Sequence, residues 1–234
     1  MTEDDWQLGA NPEPMLRYLE VRMTDRKMRL FGIACCRRYP LEEGITPAYV
    51  KLLDYAEKLA DSVEDSEGER IWEKLQKRQD DRSQTSDHSL ACLLVAFTGK
   101  NEQFFRKGKE GCGTVSDWVR EACRLLIERP RHEESRSNRY FREMERMQQA
   151  DTLREIIGNP FAQTAFDVNW RNTNILDIAT KIYEQKEFEN LPILADALQD
   201  AGCNWTEIID HLRSSESHFR GCWALDAILS FDAK

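Results

Sequence analysis

The chain has 234 residues, with 33 Lys and Arg against 42 Asp and Glu, a formal net charge of −9 at pH 7. Hydrophobic residues make up 41% and charged residues 32%, enough apolar material for a real core. No apolar run approaches the roughly 18 residues of a membrane span. The acidic start Met1-Thr-Glu-Asp-Asp5 lacks the apolar stretch of a secretory signal, and the acidic balance argues against a general nucleic-acid binder. These features predict a soluble, cytoplasmic protein.

Helical periodicity dominates from the start. Pro14 to Arg22 carries Met15, Leu16, Leu19 and Val21 on an amphipathic face. Thr24 can cap a second helix, whose Met28, Leu30, Phe31, Ile33, Ala34, Cys35 and Cys36 cover more than half its circumference. A helix so apolar is buried on several sides. Arg37 and Arg38 suit the negative end of its dipole; Arg26, Lys27 and Arg29 at the other end do not. Thr46-Pro47 is a helix start, followed by Val50, Leu53, Tyr55, Ala56, Leu59, Ala60 and Val63 at helical spacing. The charged stretch 64–87 reads as an exposed helix and then a loop at Ser83 to Asp87. Leu90 to Phe97 reads as a short apolar helix stopped by Gly99.

Gly108, Gly111 and Gly113 mark a basic loop containing Lys107 and Lys109, the best internal boundary candidate. Thr114-Val-Ser-Asp117 opens a helix running to about Glu128. Ser135 to Ile157 reads as one long helix, ended by Gly158-Asn-Pro160. A loop anchored by Phe161, Phe166 and Trp170 follows. Asn174 is the expected cap of a helix bearing Ile175, Ile178, Ala179, Ile182 and Tyr183. Leu191 to Ala201 comes next, ended by Gly202, then Glu207 to Leu212 after a capping-box-like Asn204-Trp-Thr-Glu207. The last helix is expected from about His218 to Leu229. With no convincing period-2 pattern and no fixed repeat, the sequence predicts an all-α fold. It should be a compact irregular bundle of about nine or ten helices with short loops, a single domain over 1–234 with a subdomain boundary candidate at 108–113.

Several passages carry a resemblance: Asp25-Arg-Lys-Met-Arg-Leu-Phe31 running on to Ala34-Cys-Cys-Arg-Arg38, Gly158-Asn-Pro-Phe161, Leu191-Pro-Ile-Leu-Ala-Asp-Ala-Leu198, Asp200-Ala-Gly-Cys203 and His218-Phe-Arg-Gly-Cys-Trp-Ala-Leu-Asp226. In these the chain resembles a largely uncharacterised family of helical proteins from planctomycete bacteria. The resemblance covers the first 40 residues and about the last 80. Where such proteins often carry a Gly-Pro pair before the His-x-Arg-Gly-Cys-Trp motif, this chain has Ser214-Ser-Glu-Ser217. The resemblance implies a helical domain and, because such domains occur in multidomain proteins, an adaptor or interaction role. It implies no activity.

Seven cysteines at low density fit reduced thiols rather than a disulfide scaffold, and no Cys-x-x-Cys occurs. Cys203, His211, His218 and Cys222 nonetheless place four potential zinc ligands within 20 residues. His218 and Cys222, four apart on the expected helix, would share a face. Zinc is therefore the one cofactor the sequence suggests; the other reading has these side chains in core and cap positions, with no cofactor. A third reading makes His218 a base and Cys222 a nucleophile, with Asp226 or Asp210 orienting the histidine. Arg220 beside Gly221 could present an anion-binding corner; the other reading has Gly221 allowing close helix packing and Arg220 bridging to a carboxylate. Trp205, with Trp6 and Trp72, lies in polar surroundings and could mark an interface; Trp118, Trp170 and Trp223 read as core anchors.

The charge is uneven. Six acids and no Lys or Arg fall between Glu187 and Asp210, whereas Lys100 to Arg131 holds eight bases and five acids. No phosphate-binding loop, dinucleotide fingerprint, His-Glu-x-x-His, EF-hand or Gly-x-Ser-x-Gly occurs. The leading expectation is a non-enzymatic protein–protein interaction or adaptor module, its partner a protein with a basic surface rather than a membrane or nucleic acid. A zinc-binding domain is the alternative, and a thiol-dependent enzyme the third.

Overall fold

A computed structural model describes residues 1–38, 47–63, 65–78, 114–128, 135–162 and 165–231, less the side chains of 68, 72, 75–78 and 135–138. Among the described residues there are eleven α-helices and no strand, slightly more helices than the sequence suggests. They are α1 (Glu3–Leu8), α2 (Pro12–Leu19), α3 (Asp25–Arg37), α4 (Pro47–Ala60), α5 (Ser66–Arg78), α6 (Val115–Glu128), α7 (Ser135–Ile157), α8 (Thr173–Gln185), α9 (Leu191–Asp200), α10 (Thr206–Leu212) and α11 (Trp223–Leu229). No described helix is long and apolar enough to cross a membrane. The chain forms two compact units, Met1–Leu153 and Arg154–Lys234, dividing inside α7. The expected boundary at 108–113, the Leu90–Phe97 helix and the Ser83–Asp87 loop lie outside the described residues.

In the first unit, α3 packs against both α4 and α6, as its broad apolar surface requires. Every residue from Leu30 to Cys36 is buried. Thr24 caps it, accepting a hydrogen bond from the Lys27 amide at 3.3 Å. The early arginine that fits the helix dipole poorly is answered by a neighbour: Arg26 pairs with Asp61, just past α4, at 2.8 Å. At the other end Arg37 bridges Asp54 and Glu57 of α4 at 2.6 and 2.7 Å. Trp6, expected at an interface, is fully buried. A six-residue helix has room for little more than one inward position, so a polar local sequence concealed it.

The second unit is built from the end of α7 and helices α8 to α11. α8 packs on α9 and α11, and α10 on α9 and α11. Ile175, Ile182, Leu191, Leu194, Leu198, Ile208, Leu212, Leu225 and Ile228 fill one continuous core. Burying each such side chain contributes roughly 1.5–3 kcal/mol. Asn172, not Asn174, caps α8, accepting from the Ile175 amide at 3.0 Å. Gly202 ends α9 as expected, with φ +83°, the Cys203 amide reaching back to the Leu198 carbonyl at 3.0 Å. Arg171 reaches the other end of the unit, donating to the Ile228 and Ala227 carbonyls at 2.7 and 3.0 Å and capping α11.

Candidate functional site

The end of α7 and the segment from α10 to α11 bring four chemistry-bearing side chains together. α7 ends at Gly158, which takes φ +72° and donates its amide to the Arg154 carbonyl at 2.7 Å. A Cβ at Gly158 would stand 2.9 Å from the Trp223 ring, so glycine lets the indole lie directly on this turn. One turn earlier sits Glu155, its side chain 4% exposed. His211 lies in the last turn of α10. His218 lies in the connection before α11, and Cys222 is the N-cap residue of α11, fully buried.

His218 and Cys222 do not share a helix face. The final helix begins at Trp223 rather than near His218, because Gly221 adopts φ +90° and the Cys222 amide closes a turn onto the Phe219 carbonyl at 3.0 Å. The turn still delivers both side chains to the same place. Glu155 Oε1 lies 3.0 Å from His218 Nδ1, and Glu155 Oε2 lies 3.3 Å from His211 Nε2. His211 Nε2 is also 3.2 Å from Cys222 Sγ. One ligand-type atom from each of Glu155, His211, His218 and Cys222 lies within 4.8 Å of the other three. The rings of His211 and His218 meet edge to face at 5.1 Å, and His211 packs on Trp223 at 5.0 Å.

The electrostatics follow from burial around one carboxylate. Burial disfavours the His218 imidazolium. The hydrogen bond and charge of Glu155, with the Ser214 backbone and Glu216, outweigh that and raise its pKa. A carboxylate can only accept, so His218 Nδ1 carries the proton between them. For His211, burial wins over the same carboxylate, His218 adds repulsion, and the pKa falls. Cys222 is pushed well above the ordinary thiol value by burial and then by Glu155, against a smaller pull from the amides of Leu225 and Ala224. A thiol so disposed is protonated and donates toward the neutral His211 ring; it is not an activated nucleophile.

Three of the four residues picked out for zinc therefore converge, and the fourth place is taken by Glu155. Cys203 is buried after α9, where its amide closes the helix end, and it is not among the converging atoms. Sequence reasoning missed Glu155. The signal available was a lone acid between apolar neighbours in the closing turns of α7, where Leu153 and Ile156 are fully buried. The carboxylate beside His218 is this one, whereas Asp210 is exposed.

Arg220 does not face an anion corner. It donates to the Tyr183 and Glu184 carbonyls at the C-terminal end of α8, both at 3.3 Å, and stacks over the Tyr183 ring. That is capping chemistry at the negative end of a helix. Trp205 is half-buried against Trp223, ring centroids 5.5 Å apart. Comparison with protein-family models, with curated proteins and with solved structures finds no match for the chain.

Proposed function

We propose that this protein is a non-catalytic helical module that works by presenting surfaces to a protein partner. The observation that carries the reading is the inward orientation of the clustered Glu155, His218 and Cys222 side chains among the described residues. Glu155 and His218 are 4% and 6% exposed, Cys222 is fully buried, and burial and the neighbouring carboxylate hold its thiol protonated. Groups so placed organise a core; they do not meet a substrate.

The outward face of the second unit supports a basic partner. Pro192, Ile193, Asp196, Gln199 and Asp200 are exposed along α9, and Glu207 and Asp210 along α10. Ile193 is 57% exposed among these acids, while Arg213 ties back to Asp196 and Gln199. An exposed apolar residue on a helix that also exposes Asp196 and Asp200 suits a complementary positive surface carrying an apolar anchor. The resemblance to helical domains of multidomain proteins agrees with this role.

The test is photo-crosslinking from a probe placed at position 193 of the full chain, in cells. The expected result is a small, reproducible set of protein adducts, reduced by Asp196→Lys with Asp200→Lys. An enzymatic turnover by the purified chain that disappears in a folded Cys222→Ser or His218→Ala variant would overturn the proposal.

A further inference from the structure

We infer that Glu155, His211, His218 and Cys222 form a closed tetrahedral site for one divalent transition-metal ion of the zinc class, binding the end of α7 to α10 and α11. The geometry carries the inference. Zinc bonds of about 2.0–2.1 Å to nitrogen or oxygen and about 2.3 Å to sulfur place tetrahedral ligand atoms roughly 3.3–3.5 Å apart. His211 Nε2 and Cys222 Sγ are 3.2 Å apart, the two Glu155 oxygens lie 3.0 Å from His218 Nδ1 and 3.3 Å from His211 Nε2, and one ligand atom from each residue lies within 4.8 Å of the rest. The widest separation needs to shorten by roughly 1.5 Å to meet that geometry.

The unsatisfied atoms point the same way. Glu155 Oε2 is buried and has no hydrogen-bond partner, its approach to His211 lacking the required alignment. His218 Nε2 and Ser214 Oγ are buried without partners as well. Orphaned polar atoms of this kind are rare in a native core, and a bound ion is one of the ways they are satisfied. Two of these orphaned atoms, Glu155 Oε2 and His218 Nε2, belong to residues of the one cluster.

The donor set chooses the ion. One thiolate and two imidazoles suit zinc or cobalt(II), whereas the hard all-oxygen shells of calcium and magnesium are absent here. One carboxylate and one thiolate balance a divalent charge, so the filled site is neutral, a condition for burying an ion this deeply. On entry the ion displaces the Cys222 thiol proton to solvent; an imidazolium His218 gives up one proton as well, whereas a neutral His218 binds through whichever ring nitrogen is left unprotonated. Four protein ligands leave no open coordination position, which makes the ion structural rather than catalytic. The Trp223 indole supplies rigidity, packing on His211 and against the Gly158 turn.

The experiment is a cobalt(II) titration of the metal-stripped full chain under reducing conditions, followed in the visible and near ultraviolet, then competition by zinc. The expected result is one equivalent bound, with tetrahedral d–d bands and a thiolate-to-cobalt charge-transfer band, all displaced by zinc. Cys222→Ser should abolish the charge-transfer band. Glu155→Gln, a near-isosteric change, should weaken cobalt at least tenfold with the helical circular dichroism retained. Cys203→Ser should bind as the parent does. No tetrahedral cobalt spectrum in the folded parent chain would overturn the inference. So would a thiolate band that survives Cys222→Ser or disappears with Cys203→Ser.

Discussion

Replacing Gly158 by alanine tests the packing beneath the site, and Gly202 supplies its control. Both glycines hold left-handed backbone, at φ +72° and +83°. A side chain there costs about 1 kcal/mol in either place. A Cβ at Gly202 meets nothing within 4 Å, so Gly202→Ala should cost only that amount. At Gly158 the new carbon would stand 2.9 Å from Cδ2 and Cγ of Trp223. The indole cannot simply swing away, because it is packed against Trp205 at 5.5 Å and His211 at 5.0 Å. Forcing such a shift costs a further ~1–3 kcal/mol. Gly158→Ala should therefore destabilise the second unit by about 2–4 kcal/mol, against about 1 for Gly202→Ala. Urea unfolding with hydrogen exchange read at α8 to α11 measures the difference. In a Trp223→Leu background the excess cost at Gly158 should largely vanish. A Gly158→Ala protein within about 0.5 kcal/mol of the Gly202→Ala protein would refute the direct contact between turn and indole.

Four further outcomes follow from other contacts. Arg171→Met should cost about 1–3 kcal/mol, since it leaves the Ile228 and Ala227 carbonyls at the end of α11 without their donor; unchanged exchange at α11 would contradict it. Ser230 holds φ +61° at the close of α11, so Ser230→Gly should stabilise by roughly 0.5–1 kcal/mol in a thermal melt, and a loss would mean its side chain matters more than its backbone. Maleimide should leave Cys222 unlabelled in the folded chain and label it in urea; labelling of both at equal rates would contradict its burial. Asp5 accepts from the Thr2 amide while its own amide donates to the Thr2 hydroxyl in the cap of α1, and the contacts with Thr2 lower its pKa. The stabilisation it gives α1 is thus complete above the ordinary carboxylate value and is lost as pH falls through the lower folded one. Nuclear magnetic resonance titration of Asp5 should show that depressed midpoint, with amide protection in α1 declining alongside it.

Helix positions were legible in this sequence because caps and stops are local chemistry. Thr24, the Thr114–Asp117 box, Pro47, Gly158 and Gly202 all act within a few residues of where they stand. α7 shows what local chemistry leaves out. Its bounds are those read from the sequence, yet its buried positions include Glu145, Gln149, Thr152 and Glu155 beside the apolar ones. A helix that turns polar groups inward gives no contrast between faces, so periodicity finds the helix and hides its inner side. The candidate site divides along the same line. His211, His218 and Cys222 are close in sequence, and proximity alone gathered them. Cys203 was gathered by the same measure and belongs to the end of α9 instead, while Glu155 arrives from another helix altogether. The expectation that His218 and Cys222 share a helix was reasonable by spacing, and Gly221 undoes it with one left-handed residue.

The cluster itself is harder to account for by packing than any other part of the second unit. A buried carboxylate flanked by two imidazoles and a thiol contributes little net stability, since desolvation offsets most of the attraction. Apolar residues of similar volume would generally hold α7, α10 and α11 together as well or better. Around it the unit follows that apolar pattern closely: Leu194, Leu198, Ile208, Leu212, Leu225 and Ile228 are each fully buried. Against that background the four groups are an exception with a definite composition, two neutral donors and two that can carry negative charge, one ligand atom of each lying within 4.8 Å of the others. A divalent ion converts each liability of the arrangement into a ligand bond. If cobalt finds no place there, the remaining account is a buried ion pair between Glu155 and His218 kept for specificity of packing, and Glu155→Met with His218→Phe should then leave the unit at least as stable as before.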